Sequence, residues 1–439
     1  MKHTFLIAIL FFLFGTSPAQ IDIGGKVKNK VNQRIDQKTN QAIDRTLDET
    51  EEGVKGAAKG DKNKSKEKDA GKDASKEKEG ASSTIKEEKP TFKTYGKFDF
   101  IPGEKTIVQD NFSQVAIGDF PVEWNTNSGG EVVTVDGAEG KWLMISKEGV
   151  FMPDYITDLP DNYTLQFDIM CNEDFSFYSS GLNFTFAPIS NRGKLNDYGI
   201  YSHTPLGVRV GLHPKIAGGS QGTVSIYTWD LNGEDLISND VTTTQFHAGQ
   251  HNLAHVSIWR QKQRLRVYLN EEKVLDIPRA FDINGKYNAM VMSCGSFHQD
   301  QDRFLLSNIR LAVGAPDIRS KLITEGKFVT HGILFDSGSD KIKAESYGAL
   351  KDIANVLSEN ATVKVRIIGH TDSDGEDTSN FELSKKRATA VKEALTKEFA
   401  IDALRMETDG KGESQPTDKN DTNVGKANNR RVEFVKTGD

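Results

Sequence analysis

Apolar positions fall into three regimes along the chain. Between residues 26 and 54 they are sparse, with Val27, Val31, Ile35, Ala42, Ile43, Leu47 and Val54 recurring among Lys, Asn, Gln, Asp and Arg. Spacings of three, four and seven predict one narrow stripe on a helix over 20–54. Such a stripe suits a membrane surface, a partner helix or a marginal helix on a solvated tail. From 55 to 89 bulky apolar residues vanish apart from Ile85. Lys, Glu, Asp, Gly, Ala and Ser cannot bury enough surface to fold, so a disordered tether is expected there.

From Pro90 to about Val313 the period becomes two. Leu165-Gln-Phe167-Asp-Ile169, Val256-Ser-Ile258 and Leu265-Arg-Val267-Tyr-Leu269 alternate, with turn signals at 127–130, Asp136-Gly137 and Asn232-Gly233. Short strands without helical stretches predict a two-sheet β-sandwich over 90–315. An outer-membrane barrel would need strands of about 9–11 residues with a lipid-facing band. The segments 255–259 and 264–269 are too short and too charged on one face for that. Beyond Pro316 the periods mix. Strands are expected over 328–335, 363–368, 405–410 and 431–436, with helices over 342–357 and 383–399. The order β-α-β-α-β-β makes 322–439 a compact α/β domain.

The N-terminus bears on compartment. Lys2 and His3 precede an apolar run over 5–14 and the small-residue exit Gly15-Thr-Ser-Pro-Ala19. This is the pattern of a secretory signal over 1–19, and its apolar run is too short to span a bilayer comfortably. With no cysteine near the exit, no lipid-modified N-terminus is expected. Export places the chain in the cell envelope, in the periplasm or on the periplasmic face of the outer membrane. The chain has only two cysteines, and in that compartment Cys171 and Cys294 are either bridged or small buried thiols.

Charge then narrows the partners. Of the net −7 over 439 residues, Lys2 contributes +1 and the stretch 20–89, with 17 basic and 15 acidic side chains, +2, which leaves −10 from Pro90 onward. No basic excess exists there to neutralise a phosphate backbone, so nucleic acid is not an expected partner.

The run from Arg264 through Asn270 to Ile277, with Phe304-Leu-Leu-Ser-Asn-Ile-Arg-Leu311 downstream, resembles the closing strands of concanavalin-like or laminin-G-like jelly rolls. The resemblance implies a fold and no particular chemistry. Members bind glycans, hydrolyse them or act as spacers. Trp124, Trp142, Trp229 and Trp259 are candidates for a sugar-stacking platform, although indoles more often pack a core. Trp259 is out of phase with Val256 and Ile258 and so leaves the core face. Hydrolysis would need two carboxylates facing each other across a cleft, and no strand pairs acids on one face.

The helix over 383–399 carries an anomaly. Asn380, Leu383, Ser384, Arg387 and Val391 share one face, which aims a guanidinium along an apolar stripe. The nearest anion in sequence is Asp372, at the end of the preceding strand in Gly369-His-Thr-Asp372. One reading is a simple Asp372–Arg387 salt bridge. The other is a clamp in which a ligand ammonium meets Asp372 and its carboxylate meets Arg387. His370 and Asp372 have no third ligand at suitable spacing, so no metal and no cofactor are expected. No nucleophile elbow or phosphate loop occurs.

Four ordered blocks carry a resemblance. Gly369-His-Thr-Asp372-Ser-Asp-Gly375, Asn380-Phe-Glu-Leu-Ser384-Lys-Lys-Arg387-Ala388, Gly410-Lys-Gly-Glu413-Ser-Gln-Pro416 and Asn429-Arg430-Arg431-Val432 resemble the OmpA-like peptidoglycan-binding domain. The resemblance implies that Asp372 and Arg387 bind the diaminopimelate of peptidoglycan stem peptides, supported by Asn380, Thr371 and Arg430. One departure stands in Phe335-Asp-Ser-Gly338, where the family usually has a polar side chain at the fourth position and Gly338 offers only backbone. The expected role is non-covalent anchoring to the wall, with the sandwich meeting glycans or envelope proteins and an outer-membrane association open. The alternative is a carbohydrate-active enzyme that the C-terminal domain only localises.

Overall fold

The computed structural model describes residues 98–199, 204–314 and 317–438, all within one compact unit, Pro90–Asp439. The leader over 1–19, the apolar stripe over 20–54 and the charged stretch over 55–89 lie outside the described residues.

Two antiparallel sheets build the first part. One carries, in spatial order, Glu272–Ile277, Arg264–Leu269, Leu253–Gln261, Asn162–Cys171, Phe304–Val313, Ala138–Ile145 and Glu131–Val135, with Lys105–Asp110 also paired to Phe304–Val313. The other runs Asp235–Thr243, Gly222–Trp229, Gly207–His213, Leu182–Ala187, Ala289–Cys294, Gly149–Pro153 and Trp124–Thr126. The alternating runs seen in the sequence fall inside these strands, and their apolar members face the opposite sheet. Phe167 of the first sheet stacks on Phe184 of the second, with centroids 4.5 Å apart. The two sheets are separate, not one closed barrel.

The four tryptophans are all buried, none more than 8% exposed. They form no sugar platform. Trp259 does leave the face between the sheets: it packs on the outer face with Tyr268 under Phe98, Phe100 and Ile101. This short segment also touches Tyr347 of the C-terminal domain and so straps the two parts together.

Cys171 and Cys294 lie in strands of opposite sheets, both buried and both free. The bridge is therefore absent. Burial raises the Cys171 thiol well above its ordinary range and pushes Cys294 up to about 12. With so little thiolate, neither should react with a thiol reagent in the native chain. Both should titrate in denaturant, and a reductant should leave the unfolding midpoint unchanged.

In the C-terminal domain a four-stranded sheet runs Lys327–Thr330, Val432–Gly438, Lys364–His370 and Met406–Gly412, the last two parallel. The helices Tyr347–Glu359 and Asp377–Phe399 cover the apolar core of Ile353, Leu357, Val365, Ile367, Val391 and Phe434. The strand predicted over 328–335 stops at Thr330. Beyond it the Leu334 backbone bonds to the Ser346 hydroxyl, with Leu334 N–H donating at 2.8 Å and Ser346 Oγ donating back to its carbonyl at 3.1 Å. That leaves those groups satisfied without a sheet neighbour. The second helix begins six residues before the predicted Leu383, at Asp377. A further helix, Asn423–Asn429, has no signal in the apolar pattern and is capped by Thr422, whose Oγ1 accepts from Gly425 N–H at 3.0 Å.

Candidate functional site

The strand Lys364–His370 feeds a loop that turns into the helix Asp377–Phe399. Thr371 N–H donates to Gly412 O at 3.0 Å, so the loop leaves the sheet tied to the neighbouring strand. Asn380, buried in the first helical turn, donates its amide to Asp372 O at 3.3 Å, Asp374 O at 3.1 Å and Glu413 Oε2 at 2.6 Å. One side chain therefore fixes the loop against the strand that follows the helix. Gly369 lets the helix lie directly on the sheet, because a Cβ there would stand 2.1 Å from Ser384 O. Arg387, one turn beyond Ser384, lines the same cavity as that loop.

Asp372 is buried and ion-paired through Oδ2 to Arg430 Nη1. Its Oδ1 accepts from Asp374 N–H at 3.2 Å. Arg387 donates from Nε to Ser339 O at 2.9 Å and from Nη2 to Asp336 O at 3.5 Å, with its guanidinium 4.9 Å above the Phe335 ring. The departure noted at Gly338 has a structural counterpart. With φ at 61°, Gly338 takes the left-handed region of a turn that Ser339 N–H closes on Asp336 O at 3.1 Å. Two carbonyls of that turn, of Ser339 and Asp336, accept from Arg387.

Among the described residues no carboxylate pairs with Arg387. Burial lowers its pKa from the ordinary guanidinium value; the charge of Arg430 adds to this, and Asp372 and Asp340 oppose it. The Asp372–Arg387 salt bridge is therefore absent, and the acid's partner is Arg430. The reason is tertiary: Arg430 caps the short helix Asn423–Asn429, which brings it to the loop from 58 residues away. The buried stripe of the long helix is Asn380, Ser384, Ala388, Val391 and Leu395, with Arg387 half-buried at its edge.

Thr371, Asp372, Asn380, Arg387 and Arg430 all line one cavity of about 750 Å³. Thr371 Oγ1 is buried there without a hydrogen-bond partner among the described residues. Glu413, which anchors Asn380, belongs to a block the sequence brought forward, but no role had been read for it. The cavity also has a wall from the sandwich, including Gln166, Asp168, His255 and Arg310. Nothing in the sequence pattern pointed to that wall.

Residues 334–430 match the OmpA family. Outer membrane porin F of Pseudomonas aeruginosa is 39% identical over 101 residues, which is 23% of this chain and 29% of that protein. The probable lipoprotein YiaD of Escherichia coli is 41% identical over 105 residues, 24% of this chain and 48% of that one. The peptidoglycan-associated lipoprotein from Burkholderia pseudomallei, a crystal structure, is 28% identical, covers 24% of this chain and 88% of its own, and aligns with a TM-score of 0.23. The chain spans less than half the length of the two curated relatives. The C-terminal part of this chain, residues 334–430, is an OmpA family domain carried behind a large β-rich region.

Proposed function

We propose that the C-terminal domain, over 322–439, holds the protein to peptidoglycan without a covalent bond by binding the diaminopimelate of stem peptides. One observation carries this reading: among the described residues Arg387 faces a cavity with no carboxylate of its own, beside Asp372 and a Thr371 hydroxyl without a hydrogen-bond partner. A free amino acid head group supplies what is missing. Its carboxylate meets Arg387, its ammonium shares Asp372 with Arg430, and Thr371 takes one further hydrogen bond. Asn380 keeps the loop in place. One matched relative is named for the outer membrane, which supports a place in the cell envelope.

In this reading 1–19 directs export, 55–89 tethers the folded part, and the sandwich over 90–315, a concanavalin-like or laminin-G-like jelly roll, meets glycans or envelope proteins. Binding needs no turnover, and the four tryptophans offered for a sugar-stacking platform are all buried. The test is sedimentation with purified sacculi. The full chain should pellet with them, and excess free diaminopimelate should release it where cadaverine, which carries the ammonium groups but no carboxylate, does not. Retention that excess diaminopimelate leaves untouched would remove the proposal.

A further inference from the structure

The sandwich forms one wall of the binding cavity, and Arg310 stands on it without a counter-ion among the described residues. Arg310 lies in the Ser307-Asn-Ile-Arg-Leu311 run. Its strand, Phe304–Val313, bulges there: Ser307 opposes Asp168 but Arg310 opposes Gln166, and Asn308 takes a φ of 54°. A bulge re-aims the side chains that follow it. Ile309 and Leu311 point into the apolar core, and Arg310 points to the other face of the sheet, toward the C-terminal domain.

Among the described residues its guanidinium meets only neutral groups. Nε donates to Thr106 Oγ1 at 3.2 Å and Nη1 to Gln166 Oε1 at 3.0 Å. The carboxylates of the same cavity are held elsewhere. Asp168 takes His255 Nδ1 at 2.6 Å and Asn308 Nδ2 at 2.7 Å. Asp374 takes Lys426 Nζ at 2.7 Å, and Asp372 takes Arg430. Glu139 and Glu345 line the cavity too, yet among the described residues neither pairs with Arg310. Loss of water, and next the like charge of Arg430, push its pKa down to about 10. The site therefore holds a guanidinium at an electrostatic cost that an arriving anion relieves.

The two parts are locked where this matters. Thr106 N–H donates to Asn428 Oδ1 at 3.0 Å and Asn428 Nδ2 donates back to Thr106 O at 3.1 Å, both buried. Asn428 stands two residues before Arg430, so the hydroxyl that holds Arg310 is fixed to the helix that presents Arg430.

We propose that Arg310 is an anion subsite for a second carboxylate of the ligand, so that a stem peptide is gripped between the OmpA family domain and the sandwich. The sandwich is then part of the receptor for the peptide and reads groups beyond the amino acid head group. This rests on the peptidoglycan reading above.

Calorimetry on the full chain separates the two ideas. The probes are a soluble stem tripeptide with its carboxylates outside the diaminopimelate head group free, and the same tripeptide with those carboxylates amidated. The native chain should prefer the free form about ten-fold, the scale of one charge-assisted contact. Arg310→Gln should lose that preference while binding the amidated form as before, and Arg310→Lys should restore part of it. Unchanged affinity of the amidated form reports an intact fold. If Arg310→Gln does not fold, the native chain's preference between the two peptides decides alone. Equal affinity of the native chain for both, or an equal loss on both in Arg310→Gln, overturns the subsite and leaves the head-group reading standing. Binding of neither peptide by the native chain removes both.

Discussion

Arg387→Ala should cut retention on sacculi by about a hundred-fold or more while leaving the fold nearly as stable as before. Removing one partner of a desolvated charge pair costs about 2–5 kcal/mol of binding, and every ~1.4 kcal/mol is ten-fold. The fold has little to lose, because the guanidinium donates only to the Ser339 and Asp336 carbonyls and lies over Phe335. Ordinary hydrogen bonds of this kind contribute about 1 kcal/mol each. Arg387→Lys keeps the charge but loses the planar fork, so it should recover only part of the affinity. Asp372→Ala should weaken binding comparably while freeing Arg430. The measurement is a sacculus titration beside a denaturant melt of each variant. An unfolded Arg387→Ala that still pellets with sacculi would mean that Arg387 serves the fold and not the ligand.

Glu433→Ala should destabilise the C-terminal domain by about 3–5 kcal/mol, the scale for breaking one side of a buried ion cluster. Glu433 is buried on the strand Val432–Gly438 between Arg431 Nη2 at 2.8 Å, Lys327 Nζ at 2.8 Å and His370 Nε2 at 3.5 Å. Removing the carboxylate leaves Arg431, only 5% exposed, without its anion. The same cluster predicts an acid limb. Burial opposes ionisation of Glu433, but the Lys327 ammonium, the charge of Arg431 and the nearby His370 ring outweigh it and hold its pKa far below the ordinary 4.5. The unfolded chain therefore binds the proton first, and stability present above about pH 4.5 is lost as pH falls further. His331 acts earlier with the same sign. Burial, with Arg310 and Arg431 nearby, pushes it down from 6.5 to about 4, so unfolding takes up a proton between those values. Denaturant midpoints should be level above pH 7, decline from about 6.5 and fall steeply below 4.5. In Glu433→Ala the steep lower limb should flatten. A midpoint that rises on acidification would contradict both assignments.

The readable part of this fold is the part set by local period. Leu165-Gln-Phe167-Asp-Ile169 alternates because one face of its strand meets the opposite sheet, and that strand is where the pattern placed it. The long helix was found late, since Asp377, Thr378 and Ser379 carry no apolar stripe and the turn is held by Asn380 reaching back to the loop. The helix Asn423–Asn429 was missed for a similar reason. Its glycine and three asparagines are poor helix formers, and it is secured by bonds such as Asn428 to Thr106 and Asn429 to Asp418. The end of the first C-terminal strand at Thr330 depends on a serine sixteen residues away.

By itself the sequence determined the β-rich character of the first described part, the α/β class of the C-terminal domain and the four ordered blocks that carry Asp372 and Arg387, because period and motif act over one or two turns of chain. Tertiary structure decided how those charges are used. Only the packing of distant elements gives Asp372 to Arg430, leaves Arg387 without an anion and brings Arg310 of the sandwich to the same cavity, since ion pairing depends on distances in space that spacing along the chain does not encode.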